Sequence, residues 1–318
     1  MKVQNFNCNK LVSSKTTKVV LDLPDSEYHK QSEKAEDHYF SSTQLKDIKS
    51  EKGFVGKYIT KTIPPLSIPA FDVGTYFHTA VLEPEKLDGQ ITTFTGKVKR
   101  GKLWEAFEEA NKDKIILSAS QLEEGERLVE NTMASKPCVD YMNGMETEVS
   151  FYAEIEGFKV KVRTDIIHLN KASIGDLKST KNFSGMDDIR KKVEALGYDL
   201  SASLYLDVVN KCIEASNKIT GDNVPLIETF VWIFASKDKF NPDAVKVTAS
   251  KEMIEIGRAK YKKALQKIKE LRARNWEAKE EEFILEVSPW DKARWLNISN
   301  EELKQLPPEP IDWSDLEL

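Results

Sequence analysis

The sequence predicts a mixed α/β fold, one sheet with helices on both of its faces. Three observations predict it. A strand over Glu146 to Ile155 precedes residues 158–165, which alternate apolar and polar side chains at the period of a strand, and the run 172–178 follows. Two helical stretches, Asp187 to Leu196 and Tyr198 to Ala215, come next, broken at Gly197. Then an apolar, β-rich segment, Ile227 to Ala235, and a shorter one, Ala244 to Thr248, precede a long amphipathic helix, Lys251 to Arg274.

Residues 1–40 are polar, have no sustained period and read as a loose or peripheral N-terminal arm. Ser41-Ser42-Thr43-Gln44-Leu45-Lys46 opens a helix, with hydroxyl groups available for its N-cap. A proline-rich connector, Thr62 to Pro69, separates it from a short helix over Gly74 to Leu82. That helix stops at Glu83-Pro84, because the residue before a proline avoids the helical region. Residues 118–136 are helical and end before Pro137. Glu146 to Ile155 is a strand. In the next strand Phe158, Val160 and Val162 alternate with Lys159, Lys161, Arg163 and Asp165, the pattern of a half-buried strand. A tight turn at Asn170-Lys171 makes a hairpin of 158–165 and 172–178. The last helix carries Ile254, Tyr261, Leu265, Ile268 and Leu271 on one stripe. The main domain is expected over 41–290, with an acidic C-terminal tail at 291–318.

In the hairpin register Asp165 faces Asp176, and Lys178 shares Asp176's face of the strand. Facing residues sit roughly 5 Å apart, and like charges there are unfavourable. Two carboxylates and a lysine on one sheet face ask for a cation between the acids, the layout of a metal-dependent phosphodiesterase. Phosphodiester hydrolysis needs an activated water, in-line geometry and neutralised phosphoryl charge. Mg²⁺ suits one or two carboxylates, here Asp165 and Asp176, with the Leu177 carbonyl as a further oxygen. An imidazole from His78 suits Mn²⁺ better. Lys178 orients the water or stabilises developing charge, since acting as a base would require its pKa to fall far below about 10.4. The Asp-x-Lys pattern alone is not specific, for Asp47-Ile48-Lys49 repeats it. The plainer reading is a surface hairpin whose acids pair with Arg163 and Lys161. Glu146 and Glu148 are additional acids, read as solvated edge positions.

Composition bounds the class. The chain has 318 residues, 40% hydrophobic and 31% charged, which is globular. No apolar run approaches the ~20 residues that span a bilayer. The N-terminus lacks an apolar signal core, and Cys8, Cys138 and Cys212 are scattered, so a cytoplasmic protein without zinc or iron–sulfur sites is expected. The net charge of −5 does not advertise nucleic-acid binding, but basic clusters at 97–102, 178–181, 190–192 and 258–274 are compatible with a basic groove on an acidic body.

Several segments resemble one family. Gly74 to Glu85 resembles the GTxxHxxxLEPE segment of RecE-type phage and prophage exonucleases (exonuclease VIII-like), members of the PD-(D/E)XK nuclease superfamily. Val162-Arg163-Thr164-Asp165 resembles their RxD strand, Ile174 to Thr180 their xxDxKTT strand, and Gly197 to Tyr205 their GYxxQxxxY helix. The resemblance runs in order from about Ser41 to Trp290. It implies a restriction-endonuclease-like core, with His78, Asp165 and Asp176 on the metal and Lys178 assisting the attacking water. It implies degradation of linear double-stranded DNA from the 5′ end, leaving a 3′ strand for a single-strand annealing protein in recombination. It also implies a ring-shaped homo-oligomer. Substrate contacts fall to Arg163, Thr180, Lys181, Tyr198, Ser201 and Tyr205. One position departs from the pattern: the family glutamine on the helix is Ser201 here, whose reach is much shorter. Two alternatives stay open: a same-fold nuclease of other polarity or endonucleolytic mode, and a catalytically weak DNA-end-binding or assembly protein.

Overall fold

The computed structural model describes residues 6–30, 37–66, 68–96 and 98–280. The tail expected at 291–318 and the end of the domain expected at 41–290, Trp290 included, lie outside the described residues.

The centre of the molecule is the hairpin of β4 (Glu146–Ile155) and β5 (Phe158–His168). Its turn is Glu156-Gly157, with φ of 50° and 79°. Two left-handed residues make the two-residue turn whose twist matches the strands, and glycine takes the second place without strain. The turn fixes Ile155 opposite Phe158 and every pair behind it. At the far end of β5, a 3₁₀ turn over Leu169–Lys171 reverses the chain where the sequence placed a turn, and leads to β6 (Ser173–Thr180). β7 (Thr229–Ser236) lies parallel to β6, and β8 (Ala244–Thr248) antiparallel to β7. The six-stranded sheet has the order β1-β4-β5-β6-β7-β8 and is mixed.

β1 (Thr17–Val20) comes from the N-terminal arm and pairs with β4 at the sheet edge. The described part of the arm therefore packs on the sheet. Cys8, Leu11 and Tyr28 are buried, Tyr28 in the short helix α1 (Asp25–His29). The arm also explains why β5 is buried along nearly its whole length rather than on one face. Lys161 donates to the Tyr28 carbonyl, and the Tyr28 ring lies 4.7 Å from the Lys161 ammonium and 4.2 Å from the Arg163 guanidinium.

Helices cover both faces. On one, α10 (Tyr198–Thr220) and α11 (Lys251–Ala273) pack Leu204, Val208, Tyr261, Leu265 and Ile268 against Phe151, Val160 and Val162. α2 (Ser42–Asp47), closed by a Ser41–Gln44 capping box, α3 (Glu51–Phe54) and α9 (Met186–Ala195) complete that side. On the other, α4 (Pro69–Leu82), α7 (Ala119–Ala134) and α8 (Lys136–Met142) pack Phe77, Val81, Leu128 and Tyr141 on Ile166, Leu177 and Ile233.

α4 starts five residues before the expected Gly74, with Pro69 at its first turn, and Pro137 similarly opens α8 rather than merely ending α7. Proline's fixed φ suits the first turn of a helix as well as it breaks an interior one. Two four-residue strands, β2 (Ile91–Phe94) and β3 (Ile115–Ser118), form a separate parallel pair. The chain between the short α5 (Leu87–Gln90) and β3 includes α6 (Lys102–Ala110). Strands that short carry too few residues to show a period. Half of the basic cluster at 258–274 is locally neutralised: Arg258 pairs with Asp207, Lys260 with Asp199, Lys262 with Glu156 and Arg274 with Glu51. Among the described residues no helix is long and apolar enough to cross a membrane.

Candidate metal-dependent nuclease site

α4 lies against the sheet face where β5 and β6 part. The ladder between them runs from His168–Ser173 to Ile166–Gly175 and ends there, one pair short of Asp165 and Asp176. The freed Leu177 N–H instead donates to the Asp165 carboxylate at 2.8 Å. From α4, His78 Nε2 lies 3.1 Å from the Leu177 carbonyl oxygen. A carbonyl only accepts, so Nε2 carries the hydrogen and Nδ1 presents its lone pair. Nδ1 stands 3.5 Å from Asp165 Oδ2. A lone pair facing a carboxylate is repulsive unless a proton or a cation stands between them.

A third acid joins them. Glu148 on β4 falls opposite Asp165 in the register that pairs Thr147 with Ile166 and Val149 with Thr164. Its φ is 52°, left-handed for a non-glycine residue inside a strand. Such backbone strain costs on the order of 1–3 kcal/mol and clusters at working sites. Ligand atoms of His78, Glu148 and Asp165 lie within 4.8 Å of one another. The solvated edge position expected for Glu148 is thus not what the fold provides. Glu146 accepts hydrogen bonds from the Cys8 amide and holds the arm.

Burial and the Asp176 carboxylate push the Asp165 carboxyl well above its ordinary range. Burial likewise raises Glu148 to about 7, against the opposing Arg163 guanidinium 3.9 Å away. His78 is pushed down to about 4 by burial and by Lys178, so its imidazole is neutral at physiological pH. Two acids that resist ionisation beside a neutral imidazole lone pair form a donor set that fits a divalent ion.

Asp176 turns from this trio to Lys178, 2.6 Å away. Burial works against the Lys178 charge, but Asp176 and Asp165 outweigh it and keep the ammonium charged well past the ordinary lysine range. Lys178 also donates to the Leu177 carbonyl at 3.3 Å and lies 5.1 Å from the centre of the Tyr198 ring. The Leu177 carbonyl, expected as a metal ligand, accepts from both His78 and Lys178 here, and would need the imidazole to turn before it could bind an ion.

A family model described as "PDDEXK-like domain of unknown function (DUF3799)" matches residues 41–283. The chain belongs to this family. No curated protein matches the chain. Among solved structures, a protein of Eubacterium rectale, provisionally named an exonuclease, is 17% identical, with a TM-score of 0.57 over 86% of this chain and 98% of that one. At that identity the likeness is one of fold. A phage-related exonuclease of Haemophilus somnus 129PT is 14% identical, with a TM-score of 0.33 over 74% of this chain and 96% of that one, a score too low to carry an argument.

The remaining predicted residues have partners of their own around the site. Arg163 is engaged by the Leu23 carbonyl, Ser150 and Asp25. Thr180 bonds the Asn182 carbonyl. Ser201 Oγ turns back on the Gly197 carbonyl, 3.4 Å away, within its own helix. Tyr205 packs edge-on against Phe230 below the site. A cavity of about 810 Å³ opens over His78, Glu148 and Arg163, bordered by Asp22, Asp25 and Phe71. A second, of about 780 Å³, is lined by Arg127, Lys181, Lys192, Tyr198, Lys239 and Phe240. Both include Ala70, Phe71 and Ser179, so the two adjoin beside the acids, the first mostly acidic and the second net basic, its five lysine and arginine side chains outnumbering Glu123, Glu124 and Asp238.

Glu148 is the residue that sequence reasoning set aside. Its signal was the Glu156-Gly157 turn: counting back along both arms from that turn brings Glu148 opposite Asp165.

Proposed function

We propose that this chain is a divalent-metal-dependent exodeoxyribonuclease of the RecE type, acting on linear double-stranded DNA from the 5′ end. The carrying observation is the convergence of His78, Glu148 and Asp165 within 4.8 Å beside the Asp176–Lys178 pair. The in-order resemblance of the His78, Asp165, Asp176 and Tyr198 segments to that family supports the substrate and polarity. His78, Glu148 and Asp165 would hold Mg²⁺ or Mn²⁺, and Asp176 would join them by exchanging its Lys178 contact for the ion. When bound, the ion would supply an acidified water and neutralise phosphoryl charge.

The chain's own groups do the rest. His78 keeps its Nδ1 lone pair available because its Nε2–H is fixed on the Leu177 carbonyl. Asp165 is fixed by the Leu177 amide. Lys178 stays charged and therefore stabilises negative charge developing on the scissile phosphate rather than removing a proton. The net basic cavity, with Lys181, Lys192 and Lys239, suits the phosphate backbone. In this reading the protein works in the bacterial or phage-infected cytoplasm as a ring-shaped homo-oligomer on DNA ends, delivering a 3′ strand to a single-strand annealing protein.

The test is linear duplex DNA labelled at either end, beside a covalently closed circle, in Mg²⁺, Mn²⁺ or EDTA, with Asp176→Ala alongside. Metal-dependent loss of label from the 5′ end, with the circle spared and the variant inactive, is expected. An intact linear substrate in both metals overturns the exonuclease. It would favour the second reading, a DNA-end-binding protein with little turnover, to which Ser201, folded back on its own helix, lends its one specific support.

A further inference from the structure

A second lysine reaches the site from a different element. Lys46, in the last turn of α2, places its ammonium 5.6 Å from the centre of the Tyr198 ring, the ring that Lys178 also approaches. The two lysines differ in one respect. Lys178 is paired with Asp176, whereas Lys46 has no hydrogen bond or ion pair among the described residues. Its neighbour Asp47 is already committed to Lys57 and to the Tyr58 hydroxyl. The stem of Lys46 runs past Gly197, whose φ is 63°, and a Cβ there would stand 2.9 Å from Lys46 Cδ. The absent side chain at 197 leaves room for the lysine to reach the ring.

An ammonium has three donors, and one that is half-buried without an acceptor is unfavourable unless an anion completes it. Burial and the Lys178 charge push Lys46 down to about 8, against the opposing pull of Asp176. The positive charge is costly here in the protein alone, and a ligand oxygen is what the position lacks.

We propose that Lys46 is a phosphate-binding residue that takes a backbone phosphate of the nucleic acid strand next to the scissile one. This rests on the nuclease reading above. Lys178 serves the reacting phosphate, Tyr198 spaces the two ammonium groups, and Lys46 fixes the register of the strand on the metal site.

The experiment is equilibrium binding of end-labelled duplex DNA in EDTA, where nothing is cut, between about 50 and 200 mM salt, for wild type, Lys46→Met and Lys46→Arg. Steady-state cleavage and thermal melting accompany it. Lys46→Met is expected to weaken binding by ~5- to 20-fold and to reduce the salt slope by about one. KM should rise with kcat held within ~3-fold, the mark of lost ground-state binding. Lys46→Arg should recover most of the affinity. Lys46→Met should melt at or above the wild-type temperature, since an uncompensated charge has gone. A purely structural lysine would lower it instead. Should the methionine variant not fold, Lys46→Gln and the arginine variant carry the same comparison. Unchanged affinity and slope in a wild type that cuts DNA overturn the Lys46 proposal alone. A wild type that neither binds nor cuts DNA overturns the nuclease reading and this proposal with it.

Discussion

Glu148 and Asp165 face one another across β4 and β5 at the point where the pairing between those strands is interrupted. Two carboxyls brought together by a strained backbone form a site that favours a cation over its own ionised state. Glu148→Gln keeps the shape and removes one charge. We expect it to weaken Mg²⁺ or Mn²⁺ binding by ~10- to 100-fold, read by calorimetric titration. The melting temperature without metal should stay level or rise. Metal affinity equal to wild type would remove Glu148 from the ligand set.

The same pair sets a pH dependence. Asp165 and Glu148 have folded pKa values raised above their unfolded ones, Glu148 from 4.5 to about 7. In that window the folded state binds more protons, so their contribution to stability falls as pH rises. His78 runs the other way, from 6.5 down to about 4, and its contribution rises with pH over that lower range. Between pH 6.5 and 7.5, above the His78 range and below the Lys46 and Lys161 titrations near 8, the carboxyls therefore prevail. Melting in EDTA should occur at lower temperature as pH rises through 7, and Glu148→Gln should lessen the fall. Saturating metal should reverse it. A flat wild-type profile in EDTA would mean that burial does not hold these two acids above their ordinary range.

The parts of this protein that were legible in the sequence are those fixed by local pattern. Alternation in β5 and the Asn170-Lys171 turn located Asp165 and Asp176, and the Glu83-Pro84 stop located the end of α4 behind His78. What was hidden depends on distant partners. His78 and the Leu177 carbonyl are 99 residues apart, and Tyr28 covers Lys161 from 133 residues away. Lys161 and Arg163 therefore read as a polar face although they are buried. The arm looked loose because its strand is four residues long and lies at an edge, where polar side chains are tolerated. Glu148 lay between the two cases: its register was countable from Glu156-Gly157, but its left-handed backbone was not.

Lys178 yields a kinetic prediction. Its ammonium is held charged by Asp176 and Asp165. The kcat of DNA cleavage should then show no dependence on Lys178 titrating between pH 7 and 9. Lys178→Met should lower kcat by ~10²- to 10³-fold, the scale for removing one charge-stabilising donor from a transition state, while leaving metal affinity within a few-fold. A rate that climbs with a titration near pH 8 in wild type and loses that limb in Lys178→Arg would make this lysine the base.

The arm's role can be separated from the site's chemistry. Tyr28 is 7% exposed and lies over Lys161 and Arg163. Without it, two buried cations lose their cover and β5 is uncovered beside Asp165. Large-to-small changes at buried aromatic positions cost ~3–5 kcal/mol, and here the lost cation–π contacts act in the same direction. Tyr28→Ala should therefore lower the urea midpoint clearly. Tyr28→Phe, which keeps the ring and loses only the hydroxyl, should change the unfolding free energy by less than ~1 kcal/mol. Arg163 also sits 3.9 Å from Glu148, so loosening it withdraws the positive charge that restrains the Glu148 carboxyl. Tyr28→Ala should then shift the pH dependence of metal binding upward as well as destabilise the fold. Lower stability with an unmoved metal-binding profile would show that the arm supports the sheet edge but does not reach the site through Arg163.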